Sequence, residues 1–354
     1  MKILHTADLH LSSPLTSRLS GKKSVARRRE LRETFIRMTE YARDNGVDAF
    51  IIAGDLFDDE SVSPTDVDAV LSAIRRCEGV EFYYLHGNHE GHAISPKYQE
   101  IPANLHLFLD DWSYYDIGNV RIAGRGKNSE GMFSELVCAP DKFNIAVLHG
   151  EVRDKCDGAY AIGLNEAKET ELDYIALGHY HAYREYRPTK RLSAVYSGVP
   201  EGRGFDEVGE RGFVIIETDN DLRYRFVPFA KRLVLQINID ISSAFSSADI
   251  EKAIEENLVG VSRDNLIRIV LDGHRTPELR YDISYLCDIF KSGFYYLEIK
   301  DKSKIKINSE DYKYDKSLKG EFIRLCLANI ADEETAAAVI ECGIQALAGE
   351  GGEG

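Results

Sequence analysis

Along the first third of the chain, short apolar runs rich in β-branched and aromatic residues alternate with longer stretches of helical period. That alternation predicts βαβ units and an α/β core. MKILHT predicts a strand at the N-terminus. From about 24 to 44, Leu31, Phe35, Met38 and Ala42 fall on one helical face, and DAFIIAG then predicts a second strand. Ser63 before Pro64 is an N-cap and first-turn pair for a helix burying Val67, Val70, Leu71 and Ile74. VEFYYLHG closes the pattern as a third strand, and FNIAVLHG (143–150), DYIALGH (173–179) and RGFVIIET (211–218) predict further ones.

Near Pro228 the character changes. LVLQINIDI alternates apolar residues at Leu233, Leu235, Ile237, Ile239 and Ile241, as a half-buried strand does. Ser246 and Asp249 form a capping-box pattern before IEKAIEENL; a strand LIRIVL, a helix near 279–291 and a strand FYYLEI follow. The expected division is 1–230, an α+β unit over 231–307, and a helical segment over 308–354 that ends in a frayed glycine-glutamate tail.

Composition narrows the function. At 354 residues and 44% hydrophobic, the chain is long enough for more than one domain. Six cysteines without a CxxC pair suggest neither a disulfide framework nor a zinc ribbon, and no run approaches the length of a membrane span, so a soluble cytoplasmic protein is expected. A formal charge of -15 argues against a general nucleic-acid coat, so any DNA contact must be local. GKKSVARRRELR (residues 21–32) is the basic segment; it is either a solvated helix face or a phosphate contact through residues such as Arg27 and Arg28.

The chemistry lies where strands stop. Asp8 and His10 follow KILHTA, Asp55 follows FIIAG, Asn88 and His89 follow FYYLHG, His149 follows IAVL, and His179 and His181 follow IALG. In an open α/β sheet the carboxyl ends of neighbouring strands line one crevice, so these side chains converge. Imidazole mixed with carboxylate and amide oxygen, without thiolate, suits two divalent ions, manganese with iron or zinc as alternatives, in an open catalytic site. One carboxylate, Asp55, can bridge such a pair. His5 and His86 read as packed or hydrogen-bonded neighbours, His106 and His274 have no ligand-like company, and His92 reads as a loop residue. SGVPEGRGFDE is either a glycine-rich turn or a loop beside the metals with Arg203 meeting a phosphate.

DLH, GDLFD, GNHE, LHGEV and GHYH resemble, in order, the motifs of the calcineurin-like metallophosphoesterases. ILHTADLHL, AGDLFD and YSGVPEGRGFDEVGERGFVIIE are similar to SbcD-type DNA repair exonucleases, and among them to bacterial YhaO-like proteins. The resemblance implies a two-sheet β-sandwich flanked by helices, then a small α+β capping domain and C-terminal helices. It assigns Asp8, His10, Asp55 and His181 to one ion, and Asp55, Asn88, His149 and His179 to the other, with Asp55 bridging. His89 is then the catalytic histidine at the leaving group. Glu90 stands where many members have Asp, and Asp58 where several nuclease relatives carry a histidine.

The expected activity is a binuclear-metal phosphodiesterase, a DNA exo- or endonuclease acting in repair. By the same resemblance its C-terminal helices dock an SMC-like coiled-coil ATPase of the SbcC type, and the protein forms a homodimer. Two rivals stay open: a phosphoesterase for small phosphodiesters, cyclic nucleotides or phosphoproteins, and a non-catalytic subunit of an ATPase–DNA complex.

Overall fold

A computed structural model describes residues 1–15, 21–58, 62–87, 93–97, 99–156, 158 and 160–347. Asn88, His89, Glu90, His92 and the glycine-glutamate tail from 348 on lie outside the described residues. The chain divides into two compact units, the first Met1–Leu233 and the second beginning at Val234.

The first unit runs β1 (Lys2–Thr6), α1 (Lys22–Asp44), β2 (Ala49–Ala53), α2 (Pro64–Arg76), β3 (Glu81–Leu85), β4 (Leu105–Leu107), β5 (Ser113–Ile117), β6 (Val120–Gly124) and β7 (Phe143–His149). It continues with β8 (Glu151–Arg153), β9 (Ala161–Gly163), α3 (Leu164–Ala167), β10 (Tyr174–Gly178), β11 (Arg184–Tyr186), β12 (Ser193–Tyr196), β13 (Gly212–Thr218) and β14 (Leu222–Pro228). Two six-stranded sheets form, β14-β13-β1-β2-β3-β4 and β11-β12-β10-β7-β6-β5. Each has a parallel block, β1 to β4 in one and β12, β10, β7 and β6 in the other, with antiparallel strands outside it.

Period-two alternation explains the layering. Leu4, Phe50, Ile52, Phe82 and Tyr84 pack with Leu31, Phe35, Val70 and Ile74 of α1 and α2. Their strand neighbours Ile3, Ile51 and Tyr83 point the other way, into a core shared with Ile145, Val147 and Ala176 of the second sheet. Both faces of these central strands are therefore apolar, which is why DAFIIAG and VEFYYLHG read as continuous hydrophobic runs. Ser63 sits at the N-cap of α2 with Pro64 in the first turn, as the sequence predicts, although its side chain makes no cap bond. Its amide instead donates to Ser12 Oγ at 3.1 Å, and that hydroxyl donates to Asp66 in the first turn at 2.6 Å, stapling the loop after β1 to α2.

Arg27 corrects an expectation. It is fully buried and cannot reach DNA. Nη1 donates to Glu30 at 2.9 Å; Nη2 donates to Glu201 at 2.8 Å and to the Gly202 carbonyl at 2.6 Å. Glu201, itself buried, also accepts from Thr34 Oγ1 at 3.0 Å and from the amides of Lys231 and Arg232 at 2.7 and 3.1 Å, while Arg232 closes on Glu30 at 2.7 Å. Arg28 is exposed, so within this basic segment it remains able to meet a phosphate.

The second unit comprises β15 (Val234–Asp240), α4 (Ser247–Leu258), β16 (Leu266–Asp272), β17 (His274–Arg275), α5 (Ile283–Phe290), β18 (Tyr296–Asp301), β19 (Lys304–Ile305), α6 (Ser309–Tyr312), α7 (Leu318–Asn329) and α8 (Glu333–Leu347). Its main sheet is three-stranded and parallel, β15-β16-β18, packed through Ile239, Ile250, Ile254, Ile269 and Leu286. Ser246 and Asp249 make the reciprocal capping box that their spacing predicts. Helices α7 and α8 pack on each other through Ile323, Cys326, Ile340 and Ile344. No described helix is long and apolar enough to cross a membrane.

Breaking a buried ion pair from one side leaves an uncompensated charge. Arg27→Ala is expected to cost about 3 kcal/mol in urea unfolding, whereas Arg28→Ala should stay within about 0.5 kcal/mol. Equal effects would refute the buried role.

Candidate metal centre

The parallel strands of both sheets deliver their carboxyl ends to one place. Beyond β1 and β2 the chain does not separate: Asp8 N–H donates to Gly54 O at 3.0 Å, His10 N–H to Asp55 O at 2.9 Å and Leu11 N–H to Leu56 O at 2.9 Å. Across the other sheet, Gly150 N–H donates to Gly178 O at 3.1 Å, tying the turns after β7 and β10. These bonds force an unusual backbone. Asp8, His10, Asp55 and His179 all have positive φ, at 55°, 45°, 49° and 104°. Such left-handed geometry in non-glycine residues persists only where surrounding contacts over-determine it, and it clusters at functional sites.

Two donor sets emerge among the described residues, Asp8 with His10 and His181, and Asp8 with Asp55 and His149, each with ligand atoms within 4.8 Å of one another. Asp55 stands between them, its Oδ2 3.7 Å from His10 Nε2 and 3.3 Å from His149 Nε2. His10 and His181 face each other with Nε2 atoms 3.3 Å apart. The His179 ring lies edge-on to that of His149, centroids 5.4 Å apart, while the His179 amide donates to both Asp8 oxygens at 2.9 and 3.0 Å. Six of the expected ligands are thus brought together. Asn88 and the expected catalytic His89 lie outside the described residues.

The electrostatics describe a pocket short of positive charge. Burial pushes the Asp8 carboxyl up to about 6, His149 and Asp55 pulling in opposite directions. His149 holds its proton to about 9: burial opposes the charge, but hydrogen bonding to Asp55 and the field of Asp8 prevail. Burial holds His10 down to about 3 and lowers His179 as well, keeping both as the neutral imidazoles that ligate metals. A divalent cation would take the place of the protons held on Asp8 and His149 and satisfy both carboxylates. The donor chemistry therefore fits two hard-to-borderline ions.

Space is allotted just as tightly. A Cβ on Gly87 would fall 2.0 Å from Asp55 Oδ1 and 2.4 Å from its amide nitrogen; on Gly54, 2.2 Å from His149 Nδ1; on Gly178, 1.8 Å from the Ala53 carbonyl. The glycines of GD, GN and GH are there because backbone and ligand meet at contact distance.

Glu207 has no ligand role in the sequence reading, and it is the residue that reading missed. It is buried, and Oε1 lies 2.8 Å from His181 Nδ1, the carboxylate–histidine pairing that fixes a ligand's ring and tautomer. Burial opposes its charge, yet His181 and Arg203 hold its carboxyl far below the usual range. Arg203, expected to meet a phosphate, closes on Glu207 at 2.7 Å and lies 3.2 Å from His181 Nδ1, so its guanidinium neutralises the protein's own carboxylate. The spacing of Arg203 and Glu207 by four was the one available signal. His5 is a buried structural histidine, bonded to Tyr174 Oη at 3.0 Å and Leu177 O at 3.2 Å, and His106 pairs with Glu81 at 2.7 Å.

Gly87→Ala is expected to abolish metal retention measured by elemental mass spectrometry, while Gly293→Ala, whose Cβ would meet nothing within 4 Å, should leave it intact. Glu207→Gln is expected to weaken metal affinity about 10- to 100-fold; unchanged affinity would remove Glu207 from the centre.

The calcineurin-like phosphoesterase family matches residues 1–183, from the first strand through the turn carrying His179 and His181. The chain is similar to "DNA double-strand break repair protein Mre11" of Methanopyrus kandleri, 27% identical over 322 residues, 78% of this chain and 66% of that protein. The protein of the same name from Sulfurisphaera tokodaii is 24% identical over 346 residues, 89% of this chain and 84% of its own length. Among solved structures, a dimetal phosphatase from Danio rerio aligns with a TM-score of 0.42 and 12% identity over 64% of this chain and 96% of that one. Since every described donor at the strand ends falls within the matched segment, the chain belongs to the calcineurin-like phosphoesterase family and is a metal-dependent phosphoesterase.

Proposed function

We propose that this protein is a DNA phosphodiesterase, an SbcD-type exo- or endonuclease of double-strand break repair. The observation that carries the reading is Asp55, one carboxylate within 4 Å of an imidazole from each donor set. When bound there, two divalent ions, manganese in the first instance, supply Lewis-acid neutralisation of the scissile phosphate and lower the pKa of water. Asp8, His10, Asp55 and His181 would hold one ion, and Asp55, Asn88, His149 and His179 the other. Glu207 keeps the His181 ring in register through Nδ1. His89 gives a proton to the leaving oxygen, a task suited to an imidazole titrating near neutrality. Similarity to proteins named for double-strand break repair supports DNA as the substrate.

In the same reading the α+β unit over 231–307 is a capping domain that admits DNA ends, and the chain forms a homodimer. The C-terminal helices dock an SMC-like coiled-coil ATPase of the SbcC type. Exposed apolar side chains on α7 and α8, among them Leu318, Leu325, Val339 and Leu347, favour that last role.

The test is manganese-dependent cleavage of end-labelled single- and double-stranded DNA beside the diester bis-p-nitrophenyl phosphate. Asp55→Ala should lose both metal and turnover. His89→Ala should keep its metal and lose turnover about 10²- to 10⁴-fold, the range for general acid catalysis. Because Arg27 is buried, a DNA contact by the basic segment is probed with Arg28→Ala. Diester turnover without DNA cleavage or DNA binding would overturn the nuclease reading in favour of a small phosphodiester, the substrate class that the charge of -15 accommodates.

A further inference from the structure

Between the two histidines of GHYH stands Tyr180, and it is 48% exposed. Its position is not loose. On one side the His179 amide is fixed to the Asp8 carboxylate, with φ at 104°. On the other, the His181 carbonyl accepts from Val199 N–H at 3.1 Å and from Arg211 Nη1 at 2.7 Å. The backbone that sets two donors of the metal centre is therefore also the backbone from which this ring projects.

Against Tyr180 packs Tyr196, the rings tilted at 57° with centroids 5.7 Å apart. Tyr196 is only 3% exposed, and its hydroxyl is used twice, donating to Gly150 O at 2.7 Å and accepting from Val152 N–H at 2.9 Å. It is a backing clamped to the turn that follows His149. Tyr186 extends the group, its ring 6.3 Å from that of Tyr196. The exposed Arg184 guanidinium completes it, 5.8 Å from the Tyr180 ring centroid and 4.8 Å from that of Tyr186. A half-exposed aromatic ring packed against a second, fixed ring and accompanied by a cation is the combination that nucleobases and their phosphates recognise.

We propose that Tyr180, packed on Tyr196 and flanked by Arg184, is a stacking platform for a nucleobase of the substrate strand. The proposal rests on the DNA phosphodiesterase reading and deepens it. A base in a continuous duplex has both faces covered by its neighbours, so a platform of this kind takes an unpaired or splayed base. Stacking of this sort is sequence-tolerant, since every base presents a π-face. The site is therefore built for single-stranded or frayed ends, and Tyr180 sets that preference while the metal ligands set the chemistry. Tyr180 binds substrate; it moves no proton.

The experiment compares wild type, Tyr180→Ala and Tyr180→Phe on manganese-loaded protein. Substrates are an intact single-stranded oligonucleotide and a series with one abasic residue stepped through the terminal positions; cleavage and binding by fluorescence anisotropy are both read. Tyr180→Ala should raise KM for the intact strand about tenfold, leave metal content unchanged, and have no effect on the strand whose abasic residue falls at the platform. Tyr180→Phe should restore the wild-type KM. If Tyr180→Ala penalises intact and abasic strands equally, or loses metal, the platform is wrong and the nuclease reading stands. If wild type turns over bis-p-nitrophenyl phosphate but neither binds nor cleaves any oligonucleotide, the nuclease reading falls and the platform with it.

Discussion

Two carboxylates, Asp8 and Asp55, are held almost out of contact with water within reach of the same imidazoles, and the rest of the first unit is arranged around the cost of keeping them there. Burying unpaired anions at such proximity is unfavourable unless cations or hydrogen bonds answer them. The answer comes from every direction: the His179 amide on Asp8, His149 against Asp55, and the donors that suit divalent ions. Sheet pairing extends past the strand ends for the same reason, because without the ladder from Asp8 to Leu11 the two carboxylates would not share a pocket.

A second set of buried charges does different work. Arg27, Glu30, Glu201 and Arg232 join α1 to the segment just before the chain leaves the first unit, and Glu201 begins the loop that later supplies Arg203 and Glu207. Removing any one member leaves its partners buried and short of a counter-charge, so the network makes a single geometry of that loop much more favourable than its alternatives. The loop then presents Glu207 to His181 without a search.

Much of this was legible beforehand, for identifiable reasons. Central strands buried on both faces are continuous apolar runs, and the ligands follow them directly, so strand ends and donors could be read together in Asp55, His149 and His179. Two-sheet architecture was not available from the runs themselves: an open sheet and a sandwich bury such strands equally well, and the resemblance supplied the distinction. Arg27 was misread because the pattern of a charge run carries no information about a carboxylate 174 positions away. The pairing of Glu207 with His181 escapes for the same reason: its spacing from Arg203 hints at an ion pair, but His181 lies outside any local period. Ser63 takes the N-cap position that the sequence predicts, while the bond of its amide to Ser12 comes from a partner 51 positions away that no local rule names. Local rules read elements well; buried polar partners are chosen by topology.

The motif glycines alter what it means for this centre to be intact. Gly54, Gly87 and Gly178 hold no ion and donate no proton, yet a methyl group on any of them would overlap Asp55, His149 or the Ala53 carbonyl. A lineage drifting away from catalysis could therefore lose its chemistry through one added carbon while every acid and imidazole remained in place. Inventories of ligand residues would score such a descendant as an active enzyme, and only the volume left at three backbone positions would show that it was not.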